Sequence, residues 1–148
     1  MDEFLEKTYQ NGTPPNPSEL WGVYKIKMLT GIFPDLSRFG HIKKFYSMNS
    51  NVVGCNSFNH HFKWGYFKVY TSSKTVIDYD LKVNWFSRRI KDNVVTITPQ
   101  KLYLGKFYYM IFGKPRFIGY FTMEKQINLL DFNKKYSIIF FGSLKINL

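Results

Sequence analysis

Two aspartates separated by a single residue are candidates for acid–base chemistry. Asp78 and Asp80 flank Tyr79 in a stretch, residues 76–83, in which polar and apolar side chains alternate. Alternate residues of a β-strand point to the same side of the sheet, so both carboxyl groups would face one way. Neighbouring carboxyl groups push their pKa values apart, which suits one of them as a base, with Tyr79 or Tyr103 as the acid. If the opposite, apolar face is the core, both aspartates are solvated surface charges.

Two adjacent arginines are candidates for binding an anion. Arg88 and Arg89 are two of only four arginines among the 21 basic residues. A guanidinium group binds a carboxylate or phosphate through two parallel hydrogen bonds. The structural alternative is an ion pair between this segment and the nearby Asp92. The predicted ligand-binding residues are Arg88, Arg89, Tyr103, Lys106, Trp64 and Tyr109.

Metal and cofactor chemistry finds little support in the sequence. His60 and His61 would point to opposite sides of a strand, and Cys55 is the single cysteine. One cysteine excludes an internal disulfide bond, and a metal site would need two more well-spaced ligands. The chain has no phosphate-binding loop, dinucleotide fingerprint, GxSxG or HExxH motif. We predict no metal and no cofactor, with Cys55 as a small buried residue.

The composition predicts one mainly β domain to position these residues. The chain has 148 residues, 45% of them apolar and 20% aromatic, which is enough for one packed core and short for two. Alanine, the best helix former, is absent, while residues that favour strands are abundant. No apolar stretch is long enough for a membrane helix, and the acidic first residues do not resemble a secretion signal. We therefore expect a cytoplasmic protein.

The net charge of +11 suggests a second class of function. No carboxylate occurs from residue 36 to residue 77, where basic residues accumulate. A basic surface can bind nucleic acid or an anionic membrane, and aromatic side chains can stack on bases. The candidates are Lys43, Lys44, Lys63, Lys68, Tyr66, Phe67 and Tyr70. The alternative is lysines solvated on the outside of a barrel, since A/T-rich codons alone would enrich these residue types.

The first thirty residues predict an arm followed by a helix. Residues 1–16 end in a run of turn formers and prolines, which is typical of an extended N-terminal arm. Residues 17–30 are predicted to form a short helix that caps or plugs the domain. Its apolar stripe has i, i+4, i+8 spacing and consists of Leu20, Tyr24 and Met28. A first barrel strand beginning near residue 21 is the alternative.

The remaining chain predicts a meander of antiparallel strands across residues 42–123. The predicted strands are residues 42–46, 52–58, 61–70, 75–83, 94–98, 102–112 and 115–123. In the last two of these, both alternating sets of side chains are apolar, so the helix, the tail, a partner or a ligand must cover the second face. Residues 124–148 are predicted to form an extension that closes or covers the barrel. Residues 1–148 make a single domain.

Several short motifs resemble those of known small proteins. They are residues 17–24 (PSELWGVY), 29–31 (LTG), 78–80 (DYD), 88–92 (RRIKD), 102–105 (LYLG) and 121–124 (FTME). They resemble a bacterial lipocalin-like family of unknown function, and the opening segment, together with residues 40–45 (GHIKKF), is similar to the GXWXG-type family. The resemblance spans roughly residues 12–124. It implies a small antiparallel barrel with a helix near its N-terminus, and it brings no established activity.

These observations predict a single antiparallel β-barrel or strongly curved sheet, lipocalin- or calycin-like, with a short N-terminal helix and an aromatic-lined pocket. Closing the sheet removes the exposed edges of many aromatic strands. The predicted function is binding, with conversion left open, of a small hydrophobic or amphipathic molecule that carries an anionic group. The alternatives are a cofactor-free isomerase, cyclase or lyase acting in that pocket, and a basic module that binds nucleic acid or an anionic membrane.

Overall fold

The described part of the chain forms a closed barrel of eight antiparallel strands. The computed structural model describes residues 2–59, 61–79 and 87–127. The strands are β1 (Gly22–Met28), β2 (His41–Met48), β3 (Asn51–Phe58), β4 (Phe62–Thr71), β5 (Thr75–Asp78), β6 (Ile90–Thr98), β7 (Leu102–Ile111) and β8 (Lys114–Ile127). Each strand pairs with the next in the chain, and β8 returns to pair with β1. The predicted fold class, a mainly β antiparallel barrel with one short N-terminal helix, is confirmed.

Tight turns between strands use residues that tolerate a left-handed backbone. Asn49 and Ser50 connect β2 to β3, with φ of 49° and 65°. Gln100 serves the β6–β7 turn with φ of 58°, and Gly113 serves the β7–β8 turn with φ of 75°. Such turns join neighbouring antiparallel strands with few residues, which makes a meander the simplest connection. These three turns lie in the gaps between the predicted strands, at residues 47–51, 99–101 and 113–114.

One N-terminal prediction is wrong: residues 17–30 do not form a helix. They comprise a 3-10 turn (Pro17–Leu20) followed by strand β1, which was the alternative interpretation. The stripe of Leu20, Tyr24 and Met28 has a spacing of four, which is a multiple of the strand period of two as well as one helical turn. Ile26, two residues after Tyr24 and on the same face of the strand, is also buried. Burial in this segment therefore follows the two-residue period of a strand.

The helix lies instead within residues 1–16, where the sequence predicted an extended arm. Helix α1 (Asp2–Asn11) begins with two acidic residues, which favour a helix N-terminus. Its buried residues, Leu5 and Tyr9, are one turn apart and pack on the outside of the barrel. Their partners are Val95, Leu104 and Tyr120 of β6, β7 and β8. The second apolar face predicted for the last two strands is therefore covered, in part, by α1.

The inside of the barrel holds the main hydrophobic core. Inward residues of successive strands, such as Tyr24, Phe45, Phe67 and Phe121, form one buried cluster. Leu20, fully buried at the end of its 3-10 turn, belongs to the same cluster. Aromatic pairs in the cluster meet edge to face, which is a favourable geometry for aromatic rings.

Several strand boundaries differ from the sequence predictions. Strand β5 ends at Asp78, and residues 80–83 of the predicted strand lie outside the described residues. Strand β6 begins at Ile90, four residues before the predicted start. Ile90 and Asp92 point into the barrel on the same face of the strand as Val94, and all three are buried. Strand β8 runs through Ile127 and closes the barrel against β1, so residues 124–127 belong to the barrel itself. Residues 128–148 of the predicted extension lie outside the described residues. Among the described residues, no helix has the length and apolar character needed to cross a membrane.

Candidate functional site

A cavity of about 260 Å³ lies inside the barrel. Its apolar wall includes Ile26, Met28, Ile90, Phe107 and Phe121 from the strands. The loop between β1 and β2 completes that wall with Phe33, Pro34 and Leu36. Its polar lining consists of five side chains, namely His41, Lys43, Trp64, Tyr79 and Asp92. The cavity is thus an apolar chamber with one polar region.

Lys43 and Asp92 form an ion pair in this polar region. Lys43 of β2 and Asp92 of β6 are only 4% and 1% exposed. The Lys43 Nζ atom lies 3.0 Å from Asp92 Oδ2 and 3.1 Å from Asn56 Oδ1, and it also donates to the Tyr79 hydroxyl. A lysine ammonium group has three N–H donors. Each donor has an acceptor, which is the arrangement expected of a charged Lys43.

Asn56 and Tyr79 connect the ion pair to the surrounding strands. The Asn56 amide donates to the Gly65 carbonyl at 3.3 Å and to the Tyr79 hydroxyl at 3.2 Å. The Tyr79 hydroxyl donates in turn to Asp92 Oδ2 at 3.1 Å. Gly65 has φ of +53°, and a Cβ atom there would lie 2.9 Å from the Asn56 amide nitrogen, so glycine suits this close approach.

His41 completes the network as a neutral donor. Its Nε2 atom lies 3.2 Å from Asn56 Oδ1, which has no proton to give, so Nε2 carries the hydrogen. Burial, reinforced by the nearby charge of Lys43, lowers the pKa of His41 to about 4. The imidazole ring also stacks on Trp64, with ring centroids 5.5 Å apart. This stacking orients the Trp64 indole at the cavity.

Two polar atoms at the cavity have no hydrogen-bond partner within the described part of the chain. They are Asp92 Oδ1, an acceptor, and Trp64 Nε1, a donor. Both are buried, and the residues that carry them line the same cavity. Leaving a buried polar group without a partner costs about 1–3 kcal/mol, and more for a charged group. A bound molecule that satisfies both atoms would recover that cost.

Two opposing effects act on the pKa of Asp92, namely burial and the hydrogen-bonding neighbours of its carboxylate. Burial raises the pKa of Asp92 above its ordinary value, although Lys43 and the Tyr79 hydroxyl oppose that rise. Burial likewise lowers the pKa of Lys43, and Asp92 opposes that change. The pair has no net charge, so the polar region offers an ionised acceptor without attracting anions strongly. Chemically, Oδ1 can accept a hydrogen bond or take up a proton.

Two of the residues predicted for catalysis or ligand binding line this cavity. They are Tyr79, proposed from the sequence as an acid, and Trp64, proposed as a ligand contact. Tyr109 packs against the same inner cluster. Asp78 points to the outer side of the barrel, where Lys91 Nζ lies 3.5 Å from its carboxylate and Tyr70 donates to it. Asp80 lies outside the described residues.

The predicted anion contacts lie apart from the cavity. Arg88 and Arg89 are exposed on a 3-10 turn, Ser87–Arg89, just before β6. Lys106, on the outer face of β7, forms an ion pair with Glu6 of α1 at 2.7 Å. The Tyr103 hydroxyl accepts from the Gln100 N–H at 3.2 Å and lines a separate groove of about 600 Å³ beside residues 13–16. The structure therefore does not bring these four side chains together.

The residues predicted for nucleic-acid binding are divided between the inside and the outside of the barrel. Lys43 and Phe67 lie in the interior, and Lys44 is buried as well. Tyr66 and Tyr70 are partly exposed, and Lys68 Nζ lies 6.0 Å from the centroid of the Tyr70 ring. Binding to nucleic acid or an anionic membrane stays a prediction with a smaller set of candidate residues.

Sequence reasoning predicted no role in a cavity for four residues of the network, namely His41, Lys43, Asn56 and Asp92, although Lys43 was a candidate for nucleic-acid binding and Asp92 for an ion pair with the arginines. A usable signal existed for Asp92, because Ile90, Asp92 and Val94 alternate on one face and both neighbours are apolar. Lys43 likewise lies between His41 and Phe45 on one face of a predicted strand. A charged residue on a core face requires a partner. The identity of that partner depends on barrel closure, which joins β2 and β6 across the interior.

Cys55 is buried on the outer side of β3, as predicted, and burial raises the pKa of its thiol. In the described part of the chain, no group of three or more His, Cys, Asp or Glu side chains is placed to hold a metal ion.

Comparisons with protein-family models, with curated proteins and with solved structures find no match to this chain. The resemblance to lipocalin-like families therefore stays a prediction.

Proposed function

We propose that this barrel binds a small, mainly apolar molecule in its interior cavity, with a neutral hydrogen-bond donor placed against Asp92 Oδ1. The observation that carries the proposal is the saturation of the network around Asp92. Every donor of Lys43, Asn56 and Tyr79 has a partner, while Asp92 Oδ1 has none among residues 2–59, 61–79 and 87–127. A ligand that donates a hydrogen bond to Oδ1 would complete this network.

The size of the cavity limits the ligand to a small molecule. A volume of 260 Å³ lies just below the roughly 300–1,000 Å³ of pockets that hold drug-sized ligands. A cavity of about 150 Å³ already holds benzene. A ligand with one ring or a short chain therefore fits. Its affinity would come from burying apolar surface, at about 25 cal/mol for each Å² removed from water.

The charges at the cavity favour a neutral ligand over the anionic one predicted from the sequence. Lys43 is the only positively charged side chain among the residues named for the cavity lining, since His41 is neutral. The Asp92 carboxylate, 3.0 Å away, compensates the charge of Lys43. An anion placed near Oδ1 would face a carboxylate, whereas a hydroxyl or N–H group could donate to it. Arg88 and Arg89, the predicted anion contacts, are exposed away from the lining.

Three probes that share one ring test this proposal. We would measure the binding of benzyl alcohol, toluene and benzoate by isothermal titration calorimetry. A hydrogen bond to a charged acceptor contributes about 1.5–3 kcal/mol, so benzyl alcohol should bind at least about tenfold more tightly than toluene. Benzoate should bind more weakly than benzyl alcohol.

Two results would contradict the proposal. Absence of binding for all three probes would show that the cavity does not admit ligands of this size. Tightest binding by benzoate would overturn the neutral-donor proposal and favour the anionic ligand instead.

A further inference from the structure

We propose that Asp92 is a general base for enolisation: its Oδ1 atom removes a proton from the carbon beside a ketone carbonyl, and the Trp64 indole N–H binds the carbonyl oxygen. This inference rests on the proposed function because the ketone must bind in the same cavity, where it presents a C–H group to Oδ1 in the place of the ligand's hydroxyl or N–H group. It assigns a reaction class, proton transfer next to a carbonyl, and a substrate class, small apolar ketones.

The two oxygens of Asp92 differ in a way that suits a base. Oδ2 accepts hydrogen bonds from Lys43 and from Tyr79, at 3.0 Å and 3.1 Å, which fixes the orientation of the carboxylate. Oδ1 has no partner in the described chain. A base needs one oxygen free to meet the proton and a carboxylate that does not rotate away. Asp92 meets both requirements.

Trp64 supplies the complementary group. Removal of a proton beside a carbonyl places negative charge on the carbonyl oxygen, and a fixed N–H donor stabilises that charge. Trp64 Nε1 is a buried donor without a partner in the residues described, and its ring is held by stacking on His41. The base and the donor line one cavity, and most of that cavity's remaining surface is apolar. Such a surface excludes water, which strengthens both interactions.

Burial supports the same assignment. It raises the pKa of Asp92, and a carboxylate with a higher pKa is a stronger base towards a C–H bond. Lys43 and Tyr79 keep the group ionised by holding its other oxygen. The carboxylate is therefore charged and poorly solvated, which is the state that a general base requires.

The reaction balances without a further reagent. The C–H bond breaks as the bond from Oδ1 to hydrogen forms, and the electron pair moves into the carbonyl group to give an enolate. If the substrate has a carbon–carbon double bond one carbon further away, the same proton can return to the far end of the conjugated system. That step restores the Asp92 carboxylate and releases the conjugated ketone, an isomer of the substrate.

The probe for this reaction is cyclohex-3-en-1-one. Its isomer, cyclohex-2-en-1-one, is conjugated, so its formation is followed directly by ultraviolet absorbance. Incorporation of deuterium from heavy water, observed by proton NMR, reports the proton transfer independently. We expect the full-length protein to accelerate isomerisation above the rate in buffer.

Matched variants separate the chemistry from folding. Trp64→Phe removes the N–H donor and keeps an aromatic ring, and the loss of one such donor should slow the reaction about a hundredfold. Trp21→Phe is the control, because the Trp21 indole N–H is also buried without a partner among the described residues but does not line the cavity. It should leave the rate unchanged.

A second variant removes the base without leaving a buried charge. Lys43→Met combined with Asp92→Leu deletes both partners of the ion pair, which proteins tolerate far better than deletion of one. Circular dichroism would verify that the barrel is retained. The double variant should react no faster than buffer.

The outcomes distinguish this inference from the proposed function. Binding of cyclohexanol, measured by calorimetry, reports whether the cavity admits a ligand of this size. If cyclohexanol binds and the wild type does not isomerise the ketone, the assignment of Asp92 as a base is wrong while the binding proposal stands. An unchanged rate in the Trp64→Phe variant, or isomerisation faster than in buffer in the double variant, would equally overturn the assignment. If cyclohexanol does not bind, both proposals fail.

Discussion

The barrel contains two clusters with the same three kinds of side chain in opposite surroundings. The inner cluster consists of Lys43, Asp92 and Tyr79, and the outer cluster consists of Lys106, Glu6 and Tyr120. In each, a lysine pairs with a carboxylate, at 3.0 Å inside and 2.7 Å outside, and a tyrosine hydroxyl donates to that carboxylate. The Asp92 side chain is 2% exposed, whereas that of Glu6 is 40% exposed.

Solvent therefore decides what the same contacts do to the acid. In the outer cluster, hydrogen bonds from Lys106 and Tyr120 lower the pKa of Glu6 to about 2. In the inner cluster, burial outweighs the equivalent contacts and the pKa of Asp92 rises. The outer cluster attaches helix α1 to the barrel, and the inner cluster keeps a buried carboxylate at a cavity. Substitutions in the two clusters should differ accordingly.

The largest effect is expected for Asp92→Ala. It leaves the buried ammonium group of Lys43 without its counter-ion, which should lower the free energy of unfolding by about 3–5 kcal/mol. Urea denaturation followed by circular dichroism measures this change. The control is Lys43→Met combined with Asp92→Leu, which should cost much less than the single substitution. A smaller loss for Asp92→Ala than for the double variant would contradict the importance of the inner ion pair.

Protonation of His41 should produce the next largest effect. Its pKa is about 4 in the fold and about 6.5 in an unfolded chain, so the unfolded state binds more protons between these pH values. Stability is then fully present above pH 6.5 and is lost as the pH falls towards 4, by at most about 3 kcal/mol. The groups facing His41 are Lys43, whose charge lowers its pKa, and Asp35, whose charge raises it.

The variant that tests this pH dependence is His41→Gln, because glutamine keeps an N–H donor for Asn56 and does not titrate. Chemical denaturation at several pH values should show a shallower loss of stability for the variant between pH 6.5 and 4. Equal slopes for the variant and the wild type would show that His41 does not cause the acid sensitivity.

Tyr79→Phe should have an intermediate effect. The substitution removes a hydroxyl that accepts from Lys43 and Asn56 and donates to Asp92. The buried side chains of Lys43, Asn56 and Asp92 would each lose one hydrogen-bond partner, which should lower the free energy of unfolding by about 1–3 kcal/mol. Tyr9→Phe is a matched control, since the Tyr9 hydroxyl is buried with no partner in the described residues. Thermal denaturation should show a clear loss for Tyr79→Phe and little or none for Tyr9→Phe.

The smallest effect is expected in the outer cluster, for Glu6→Gln. An ion pair open to solvent contributes about 0.2–1 kcal/mol, and salt screens it. Glu124→Gln is the control, because it removes an exposed carboxylate of β8 that has no ion pair among the described residues, and it should change little. Urea denaturation at low and high salt would measure the difference. A loss as large as that of Asp92→Ala would show that exposure does not separate the two clusters.

The fold was more predictable than the site because it depends on local signals. Seven strands follow from alternating apolar residues between turn formers such as Asn49 and Gln100, whose conformations are local. Strand β1 was ambiguous because the spacing of Tyr24 and Met28 fits both a helix and a strand. Helix α1 was missed because it is short, and its burial depends on Leu104 and Tyr120, more than ninety residues away.

The site depends on which side chains meet across the barrel. Tyr79 and Trp64 were predicted as functional residues, but the sequence does not show that Lys43 of β2 meets Asp92 of β6. Those strands are not neighbours in the sheet, and only the curvature of the closed barrel brings their inward side chains together. Arg88 and Arg89 were favoured because arginine is rare in this chain, yet they are exposed. Rarity of a residue type carries no information about which way it points.

The most direct test of the central claim measures how much Asp92 contributes to recognition of a hydroxyl group. The affinities of benzyl alcohol and toluene would be measured by calorimetry for the wild type and for the Lys43→Met, Asp92→Leu double variant. The account predicts that the wild type prefers benzyl alcohol by at least about tenfold and that the double variant loses this preference while still binding toluene. An equal preference for benzyl alcohol in both proteins would contradict the claim that the ligand donates to Asp92.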